Sequence, residues 1–378
     1  MDAFYASVEL LRYPQLRGQP VVIGGGRRFQ PEALADGSLR FARLAEYEGR
    51  GVSTTATYEA RAQGVNSGMP LARAARLCPQ ATLLPTDFDE YRRYSRLFKA
   101  AVRDIAPTIE DRGIDEIFID LSAFHGVAVD GGRAIAVAIK DAVHAATGLS
   151  CSIGVAPNKL LAKIASELDK PDGLTLLDAG DLAARIWPLP ARKINGIGPK
   201  AAARLESMGV HSIGELAQLD PTLLVERFGR SYGAWLNDAA HGRDVRPVVT
   251  RREPKSMSRE TTFERDLHPV GDRETLSALF TDLCERVADD LRRKRYVGRT
   301  IGIKLRFDDF STVTRDQTIE AYTDDAGTIR RAAGLCLKRV TLERRLRLLG
   351  VRVGALIPAD AQAAAAPPRL PEALSLFD

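Results

Sequence analysis

Cysteine, histidine and tryptophan are scarce in this chain of 378 residues. It contains four cysteines, five histidines and two tryptophans, and the cysteines at positions 78, 151, 284 and 336 form no CxxC pair. Zinc sites need closely spaced Cys and His ligands, and disulfide frameworks stabilise mainly small secreted domains. The sequence therefore argues against both and predicts a protein of the reducing cytoplasm.

Long hydrophobic runs are absent as well. No stretch of about 18 apolar residues occurs, as a membrane-spanning helix would require, and the N-terminus does not resemble a signal peptide. Hydrophobic residues make up 45% of the chain, charged residues 27%, and the net charge is +5. This composition predicts a globular protein of several domains that does not engage a membrane.

Hydrophobic periodicity divides the chain into two α+β units. In the first unit we predict helices at 2–12, 69–77, 91–105, 132–146 and 159–168, and strands at 20–23, 114–121 and 150–155. In the second unit we predict helices at 274–295 and 325–337 and strands at 300–307 and 346–353. Residues 181–240 contain only short helices, and residues 246–255 have the composition of a basic linker. The order of elements predicts an α+β or ferredoxin-like core for the first unit.

Two adjacent acids, Asp115 and Glu116, interrupt the apolar run of residues 114–121. The alternation of a strand would place them on opposite faces, and their apolar neighbours predict burial. Buried carboxylates are costly unless they bind a cation, and two-metal phosphoryl transfer needs such carboxylates. An edge strand with both acids in solvent is the alternative that the pair alone leaves open.

Two further clusters carry groups suited to phosphate binding. Arg61 follows Tyr58 by three residues, so both side chains would lie on one side of a helical turn. Lys170 precedes a proline, and its ammonium group could act as a point charge for phosphate. A helix-surface arginine and a solvated loop lysine are the alternatives.

Taken in order, four segments resemble the motifs of Y-family (lesion-bypass) DNA polymerases of the bacterial polymerase IV type. They are MDAFYASVE at 1–9, YEAR at 58–61, IDE at 114–116 and the lysine-containing segment 163–173. The resemblance extends over the chain to residue 355. It implies an α+β multidomain, right-hand polymerase fold with a ferredoxin-like palm, small fingers, a helical thumb containing a helix-hairpin-helix, and an α+β little finger.

The resemblance also implies domain boundaries. The palm would comprise residues 1–3 and 87–176, the fingers 4–86, and the thumb 177–245. A linker at 246–257 would lead to the little finger at 258–355 and a flexible tail at 356–378.

Residue roles follow from the resemblance as expectations. Asp115 and Glu116 would bind two Mg²⁺ ions, with Glu116 completing the catalytic site near the primer 3′-hydroxyl. Tyr5 would be the steric gate under the deoxyribose, with Phe4 packed beside it, although plain core packing is the alternative for both rings. The triphosphate of the incoming dNTP would be held by Tyr58, Arg61 and Lys170.

The sequence departs from the family pattern at two places. Gly113 stands where a serine usually precedes the Ile-Asp-Glu run, and loss of the hydroxyl is expected to loosen the start of the strand. Met1 and Asp2 occupy the last two positions of a three-residue motif whose first aspartate is the family's metal ligand, so Asp2 is a secondary metal-ligand candidate. Either the start codon is assigned too far downstream, which we favour, or the protein is truncated and would extend primers feebly.

A helix-hairpin-helix pattern occurs at residues 194–210. Its turn carries Gly196 and Gly198, followed by Lys200, and would let backbone N–H groups approach a DNA phosphate. An ordinary corner between two helices is the alternative.

Basic residues concentrate in the second unit. In the strand at 300–307 they alternate with apolar residues, which predicts one face toward a core and a basic face toward duplex DNA. A solvated run of charges is the alternative, although the acids of this unit lie mostly outside the stretch. The predicted DNA-binding residues here are Arg292, Arg293, Lys294, Arg295, Lys304 and Arg306.

The C-terminal peptide resembles bacterial sliding-clamp-binding peptides. Leu374, Leu376 and Phe377 would fill an apolar pocket of the clamp, with Ala373 in place of the usual glutamine. A disordered terminal peptide is the alternative.

The resemblance implies a DNA-directed DNA polymerase that performs error-prone translesion synthesis on primer–template DNA, using dNTPs, and we expect it to be a monomer. A catalytically impaired DNA- and clamp-binding protein is the alternative if the chain begins at Met1. A helix-hairpin-helix glycosylase or nuclease would need neither the region of Tyr5 nor the segment of Lys170.

Overall fold

The structure is a computed structural model that describes residues 1–124 and 130–361. The chain divides into two compact units, Met1–Arg251 and Arg252–Asp378. The division falls inside the linker predicted at 246–257. Each unit has its own hydrophobic core.

The first unit contains ten α-helices and nine short strands within the described ranges. The helices are α1 (Phe4–Arg12), α2 (Tyr58–Ala62), α3 (Leu71–Leu77), α4 (Phe88–Ile105), α5 (Arg133–Thr147), α6 (Lys159–Ala165), α7 (Pro199–Glu206), α8 (Ile213–Gln218), α9 (Pro221–Phe228) and α10 (Arg230–Ala240). The strands are β1 (Val21–Ile23), β2 (Glu32–Ala33), β3 (Leu39–Arg40), β4 (Thr55–Ala56), β5 (Thr82–Leu84), β6 (Ile109–Asp111), β7 (Ile117–Ile119), β8 (Ile153–Val155) and β9 (Leu174–Leu176).

These strands form small separate sheets. β1 lies between β4 and β5, antiparallel to the first and parallel to the second, and all three of its residues are fully buried. β6 pairs antiparallel with β7, and β8 pairs parallel with β9. The paired strands β2 and β3 lie in residues 27–50.

Helices α4 and α5 cover the site-bearing sheets. Phe98 and Val102 of α4 pack with Ile139 and Val143 of α5 in one buried cluster. The apolar spacing of α4 places these side chains on one face, as the sequence predicts. This cluster also takes in partly buried residues of β7, so it holds the strand that follows the acid pair.

One strand prediction is wrong in a way that matters for function. The run 114–121 was expected to be a single buried strand with acids on alternate faces. β7 contains only Ile117–Ile119, and the acids lie in the turn before it. Its residues are half-buried because β7 pairs only with β6 in the described part of the chain.

The second unit is a four-stranded antiparallel sheet covered on one face by two helices. Its elements are β10 (Ser256–Leu267), α11 (Arg273–Lys294), β11 (Tyr296–Phe307), β12 (Thr312–Thr323), α12 (Ala326–Leu337) and β13 (Leu346–Pro358), and the strand order is β10-β13-β11-β12. Ile301 and Ile303 of β11 are buried beneath the helices, as the alternation predicts. β10 and β12 were missed because polar residues occupy most of their positions. β10 begins at Ser256, before the predicted end of the linker.

Candidate active site

The adjacent acids Asp115 and Glu116 lie in the turn between β6 and β7, residues 112–116, which we call the acid turn. A hydrogen bond of 3.0 Å from the Arg112 amide to the Glu116 carbonyl closes the turn, and Asp111 pairs with Ile117 across it. Both acids line a cavity of about 550 Å³, a size typical of small-molecule sites. The turn therefore presents two carboxylates to a space that could admit part of a nucleotide.

A chain of alternating charges leads from Glu116 along this cavity. Lys163 donates hydrogen bonds to Glu116 (2.5 Å) and Glu167 (3.1 Å), and Lys170 donates to Glu167 (2.7 Å). Burial of Lys163 favours its neutral form, but the hydrogen bonds and negative charges of Glu116 and Glu167 together outweigh burial and raise the pKa of the ammonium. Burial of Glu167 is likewise outweighed, here by the hydrogen bonds and positive charges of Lys170 and Lys163 together, and its pKa is lowered. Lys163 and Glu167 are therefore charged at neutral pH.

Sequence reasoning assigned no role to Lys163 or Glu167. The four-residue spacing between them is the spacing of a helical ion pair, and this signal was available. What the sequence could not show is that Lys163 also reaches Glu116, 47 residues away in the chain. The structure thus connects the acid turn to the lysine expected to bind triphosphate.

The Asp2 carboxylate, a secondary metal-ligand candidate from the sequence, accepts hydrogen bonds within the protein. It is buried and accepts hydrogen bonds from the hydroxyls of Ser150 (3.0 Å) and Ser152 (2.7 Å) and from the Asp172 amide (2.9 Å). Both carboxylate oxygens are used in these contacts, and Asp2 does not line the cavity. The hydrogen bond from the Asp172 amide fixes the segment that follows Lys170 to Asp2.

Phe4 and Tyr5 differ in burial. Phe4 is a core residue, as the packing alternative expected. Tyr5 is half-buried and stacks on Tyr91, with ring centroids 4.4 Å apart. Burial and, to a lesser degree, the Asp115 carboxylate raise the pKa of the Tyr5 phenol. The phenol therefore lies within electrostatic reach of the acid turn.

Tyr58 and Arg61 lie together, as their spacing predicts. The Arg61 guanidinium is 5.1 Å from the centre of the Tyr58 ring and donates hydrogen bonds to the Ala56 carbonyl (3.0 Å) and the Thr55 hydroxyl (3.2 Å). The Tyr58 hydroxyl is buried and has no hydrogen-bond partner in the described part of the chain. Burial raises its pKa to about 12. A buried donor without an acceptor is unfavourable and is suited to receive one from a ligand.

The glycines of the predicted helix-hairpin-helix lie at the start of α7. Gly196 has a φ of +119°, in the region that favours glycine, and its carbonyl accepts a hydrogen bond of 2.9 Å from the Tyr232 hydroxyl. Gly198 and Lys200 are exposed at the first turn of α7. The N–H groups at such a helix start have no intrahelical acceptor.

Ion pairs neutralise much of the basic stretch in the second unit. The pairs are Arg292–Asp289, Arg293–Asp290, Arg295–Asp360 and Lys304–Glu260. The expectation that acids lie outside the stretch was therefore misleading. Asp289 and Asp290 precede their partners by three residues, which is the spacing of a helical pair. Lys294 and Arg306 are not in these pairs, and Arg306 donates to the Thr312 hydroxyl (3.2 Å).

The donor set at the acid turn fits a divalent cation that is shared with a substrate. Within residues 1–124 and 130–361, no group of three or more His, Cys, Asp or Glu side chains is arranged to hold a metal ion. Mg²⁺ is commonly bound by one or two carboxylates together with substrate phosphates and water. Asp115 and Glu116 supply two such carboxylates.

Three remaining expectations concern membrane helices, the cysteines and the C-terminal peptide. Among the described residues, no helix is both long and apolar enough to cross a membrane. All four cysteines are buried free thiols. The clamp-like peptide with Leu374, Leu376 and Phe377 lies outside the described residues.

The sequence is similar to known proteins along most of its length. Residues 1–167 match the impB/mucB/samB family, residues 254–365 match the C-terminal domain of that family, and residues 179–210 match its helix-hairpin-helix motif. A protein of Methanoculleus marisnigri named DNA polymerase IV is 40% identical over 94% of this chain and 92% of its own length. A DNA polymerase IV of Streptomyces coelicolor is 39% identical over 94% of this chain and 70% of its own length.

Two solved structures share the fold. A chimeric Y-family DNA polymerase matches with a TM-score of 0.76 and 23% identity, covering 94% of this chain and 97% of that one. An insertion ternary complex of Dbh DNA polymerase matches with a TM-score of 0.64 and 22% identity, covering 95% and 98%.

Proposed function

The chain belongs to the impB/mucB/samB family of Y-family DNA polymerases, and from that premise we propose how its residues carry out translesion DNA synthesis. Its activity is DNA-directed nucleotidyl transfer from a dNTP to a primer 3′-hydroxyl. The observation that supports the assignment of residues is that Asp115, Glu116, Lys163 and Lys170 all line the same cavity. This cavity brings together carboxylates and ammonium groups, which are the groups that a triphosphate and its counterions require.

Tyr58, Arg61 and Lys170 would bind the triphosphate. Lys170 lies in a segment fixed by Asp2, so its ammonium is held ready as a point charge. The Tyr58 hydroxyl would donate its unused hydrogen bond to a phosphate oxygen, and Arg61 would add positive charge beside it. These contacts would orient the α-phosphate for attack, which lowers the barrier by positioning.

The acid turn would serve the reacting end of the substrate. Asp115 and Glu116 would hold two Mg²⁺ ions together with the triphosphate, and Glu116 would lie near the primer 3′-hydroxyl. A bound Mg²⁺ neutralises negative charge that develops on the phosphoryl oxygens. Lys163 holds one oxygen of Glu116 and thereby fixes the direction of that carboxylate. Tyr5 would pack under the deoxyribose and exclude a 2′-hydroxyl.

Two surfaces would bind the DNA. The exposed start of α7 at Gly198 and Lys200 would bind a backbone phosphate. The face of the second unit's sheet that carries Lys304 and Arg306 would follow the duplex backbone without reading sequence. Primer–template DNA and dNTPs are thus the partners that we propose.

Two further proposals rest on the sequence. The peptide with Leu374, Leu376 and Phe377 would bind the sliding clamp, and deletion of residues 374–378 should abolish clamp-stimulated synthesis while leaving unstimulated synthesis unchanged. We propose a monomer, and we propose a cytoplasmic location with the free thiols as support. Equal stimulation of the full chain and the shortened chain would remove the clamp proposal.

Single-nucleotide insertion tests the assignment of the acids. Asp115→Asn and Glu116→Gln should each lower kcat by about 100-fold or more, because each removes charge at the reacting centre. DNA affinity, measured by fluorescence anisotropy, should change by less than about threefold, because neither side chain is assigned to DNA binding. Asp141→Asn, at an exposed position of α5 outside the cavity lining, is the matched control. Insertion that is unaffected by Asp115→Asn would overturn the assignment.

A further inference from the structure

The turn that carries the two acids is held from outside by a buried lysine. Lys99 of α4 is only 8% exposed. Its ammonium donates to both carboxylate oxygens of Asp111, at 2.9 and 2.8 Å, and to the Gly113 carbonyl at 2.7 Å. An ammonium has three N–H donors. All three are therefore used to bind the start of the turn.

Asp111 completes the anchor from the other side. Its carboxylate accepts a hydrogen bond of 3.1 Å from the Gly113 amide. The peptide groups on both sides of Gly113 are thus tied to the Lys99–Asp111 pair, one through the carbonyl and one through the N–H. Asp115 follows two residues later, so the direction of its carboxylate depends on where this peptide is held.

Gly113 explains why such an anchor is needed. Glycine has more backbone freedom than any other residue, and the sequence predicted a loose strand start at the position where the family usually has serine. The observed turn is not free: Lys99 and Asp111 supply contacts that constrain it. A Cβ at residue 113 would meet no heavy atom within 4 Å, so a serine fits there.

The helix that carries Lys99, α4, is packed into the hydrophobic core. α4 has 18 residues, and its Phe98 and Val102 are buried in the cluster that includes Ile109 of β6. Lys99 therefore links the acid turn to the core helix, and it does so without lining the cavity.

We propose that Lys99, acting with Asp111, is a positioning residue for Asp115. This inference rests on the proposed function for the meaning of the position of Asp115. It concerns a residue that touches neither the substrate nor the reacting atoms. Removal of the Lys99 contacts should therefore lower kcat without weakening dNTP binding to the same extent.

Lys99→Met tests the proposal because methionine keeps the apolar stem and removes the three donors. We expect kcat for single-nucleotide insertion to fall about 10- to 100-fold, since a small displacement of a reacting group is costly, with KM for dNTP nearly unchanged. Amide hydrogen exchange in residues 111–117 should speed up by about tenfold. Arg103→Met, at an exposed position of the same helix, is the control and should change neither quantity.

Gly113→Ser supplies the rescue. Introduced alone it should have little effect, because the turn is already fixed. In the Lys99→Met background it should restore a large part of kcat, because serine narrows the backbone freedom of the turn and can bond to it locally. Additive effects of the two substitutions, or an unchanged kcat in Lys99→Met, would overturn the proposal.

Asp111→Asn provides an independent variant should Lys99→Met fail to fold. The Asp111 side chain is 54% exposed, and asparagine keeps one oxygen that can accept a hydrogen bond from the Lys99 ammonium. The substitution therefore weakens the Lys99–Asp111 pair, and we expect the same direction of change in kcat and in exchange. If the wild-type chain transfers no nucleotide, the proposed function fails. Exchange alone then decides whether Lys99 fixes the turn: faster exchange in Lys99→Met supports the anchor, and unchanged exchange refutes it.

Discussion

At the scale of single residues, the site depends on side chains that are held in position before any ligand binds. Tyr5 lies flat against Tyr91, and Tyr91 donates a hydrogen bond of 2.7 Å to the buried Glu9. Tyr58 carries a buried hydroxyl without an acceptor. Two tyrosines of similar exposure thus present different groups: Tyr5 offers a ring face, and Tyr58 offers a donor.

Tyr5→Ala should relax sugar selection. Removal of the ring opens space where a 2′-hydroxyl would otherwise clash, so we expect discrimination between dNTP and rNTP, measured as the ratio of kcat/KM values, to fall by about 100-fold. Tyr13→Ala, which removes a ring just beyond the same helix, should leave the ratio unchanged. An unchanged ratio in Tyr5→Ala would withdraw the steric-gate role.

Tyr58 should make stability depend on pH in the alkaline range. Burial raises the pKa of its phenol from 10.0 to about 12, so folding favours the protonated form. This contribution is complete below pH 10 and is lost as the pH rises through the folded-state pKa. Because the residue is only partly buried, we expect wild type to lose at most about 1 kcal/mol relative to Tyr58→Phe. Urea unfolding of both proteins at about pH 8 and about pH 11 measures the difference; equal differences at the two pH values would contradict it.

At the scale of elements, the sequence predicts helices and one-sided strands well and turns poorly. The alternation through Ile301 and Ile303 correctly predicts a strand with one buried face, since a sheet packed on helices imposes that period. The acids Asp115 and Glu116 were placed in a strand because their neighbours are apolar. Their actual position in a turn depends on Lys99, a residue of α4 that contacts the turn. Periodicity along one segment cannot report such a contact.

The helix-hairpin-helix turn offers a test with a matched pair of glycines. A Cβ at Gly196 would lie 2.6 Å from the Trp235 ring at a φ of +119°, whereas a Cβ at Gly198 would meet nothing within 4 Å. Gly196→Ala should therefore lower the free energy of unfolding by about 1–3 kcal/mol. Gly198→Ala should cost less than about 1 kcal/mol, mainly through a poorer helix cap. Urea unfolding measures both, and equal losses would contradict the assigned conformations.

At the scale of the whole molecule, charge is distributed differently from what the sequence indicated. The net charge is +5, but four basic residues of the second unit's arginine- and lysine-rich stretch are paired with acids. Pairing lowers the number of cations available to neutralise phosphates. Nonspecific DNA binding should therefore be moderate and adjustable at individual pairs.

The Lys304–Glu260 pair tests this view of DNA binding. Lys304→Gln should weaken binding equally for all DNA sequences and reduce the slope of log K against log salt by about 1. Glu260→Gln removes the competing acid, which lies 2.8 Å from the ammonium, and should strengthen binding. Anisotropy titrations over a range of salt concentrations give both slopes. A Glu260→Gln protein that binds no more tightly than wild type would argue against this face as a DNA surface.

Template-directed nucleotide transfer at the turn that carries Asp115 and Glu116 can be measured with a set of matched primer–templates. Four primer–templates that differ only in the templating base are each offered every dNTP singly, under single-turnover conditions with Mg²⁺. We expect the complementary dNTP to be inserted at least about tenfold faster on each template. Asp115→Asn should lower the rates of all four insertions by about 100-fold or more while still binding the DNA. Insertion that ignores the template, or whose rate Asp115→Asn leaves unchanged, would contradict template-directed transfer at this turn.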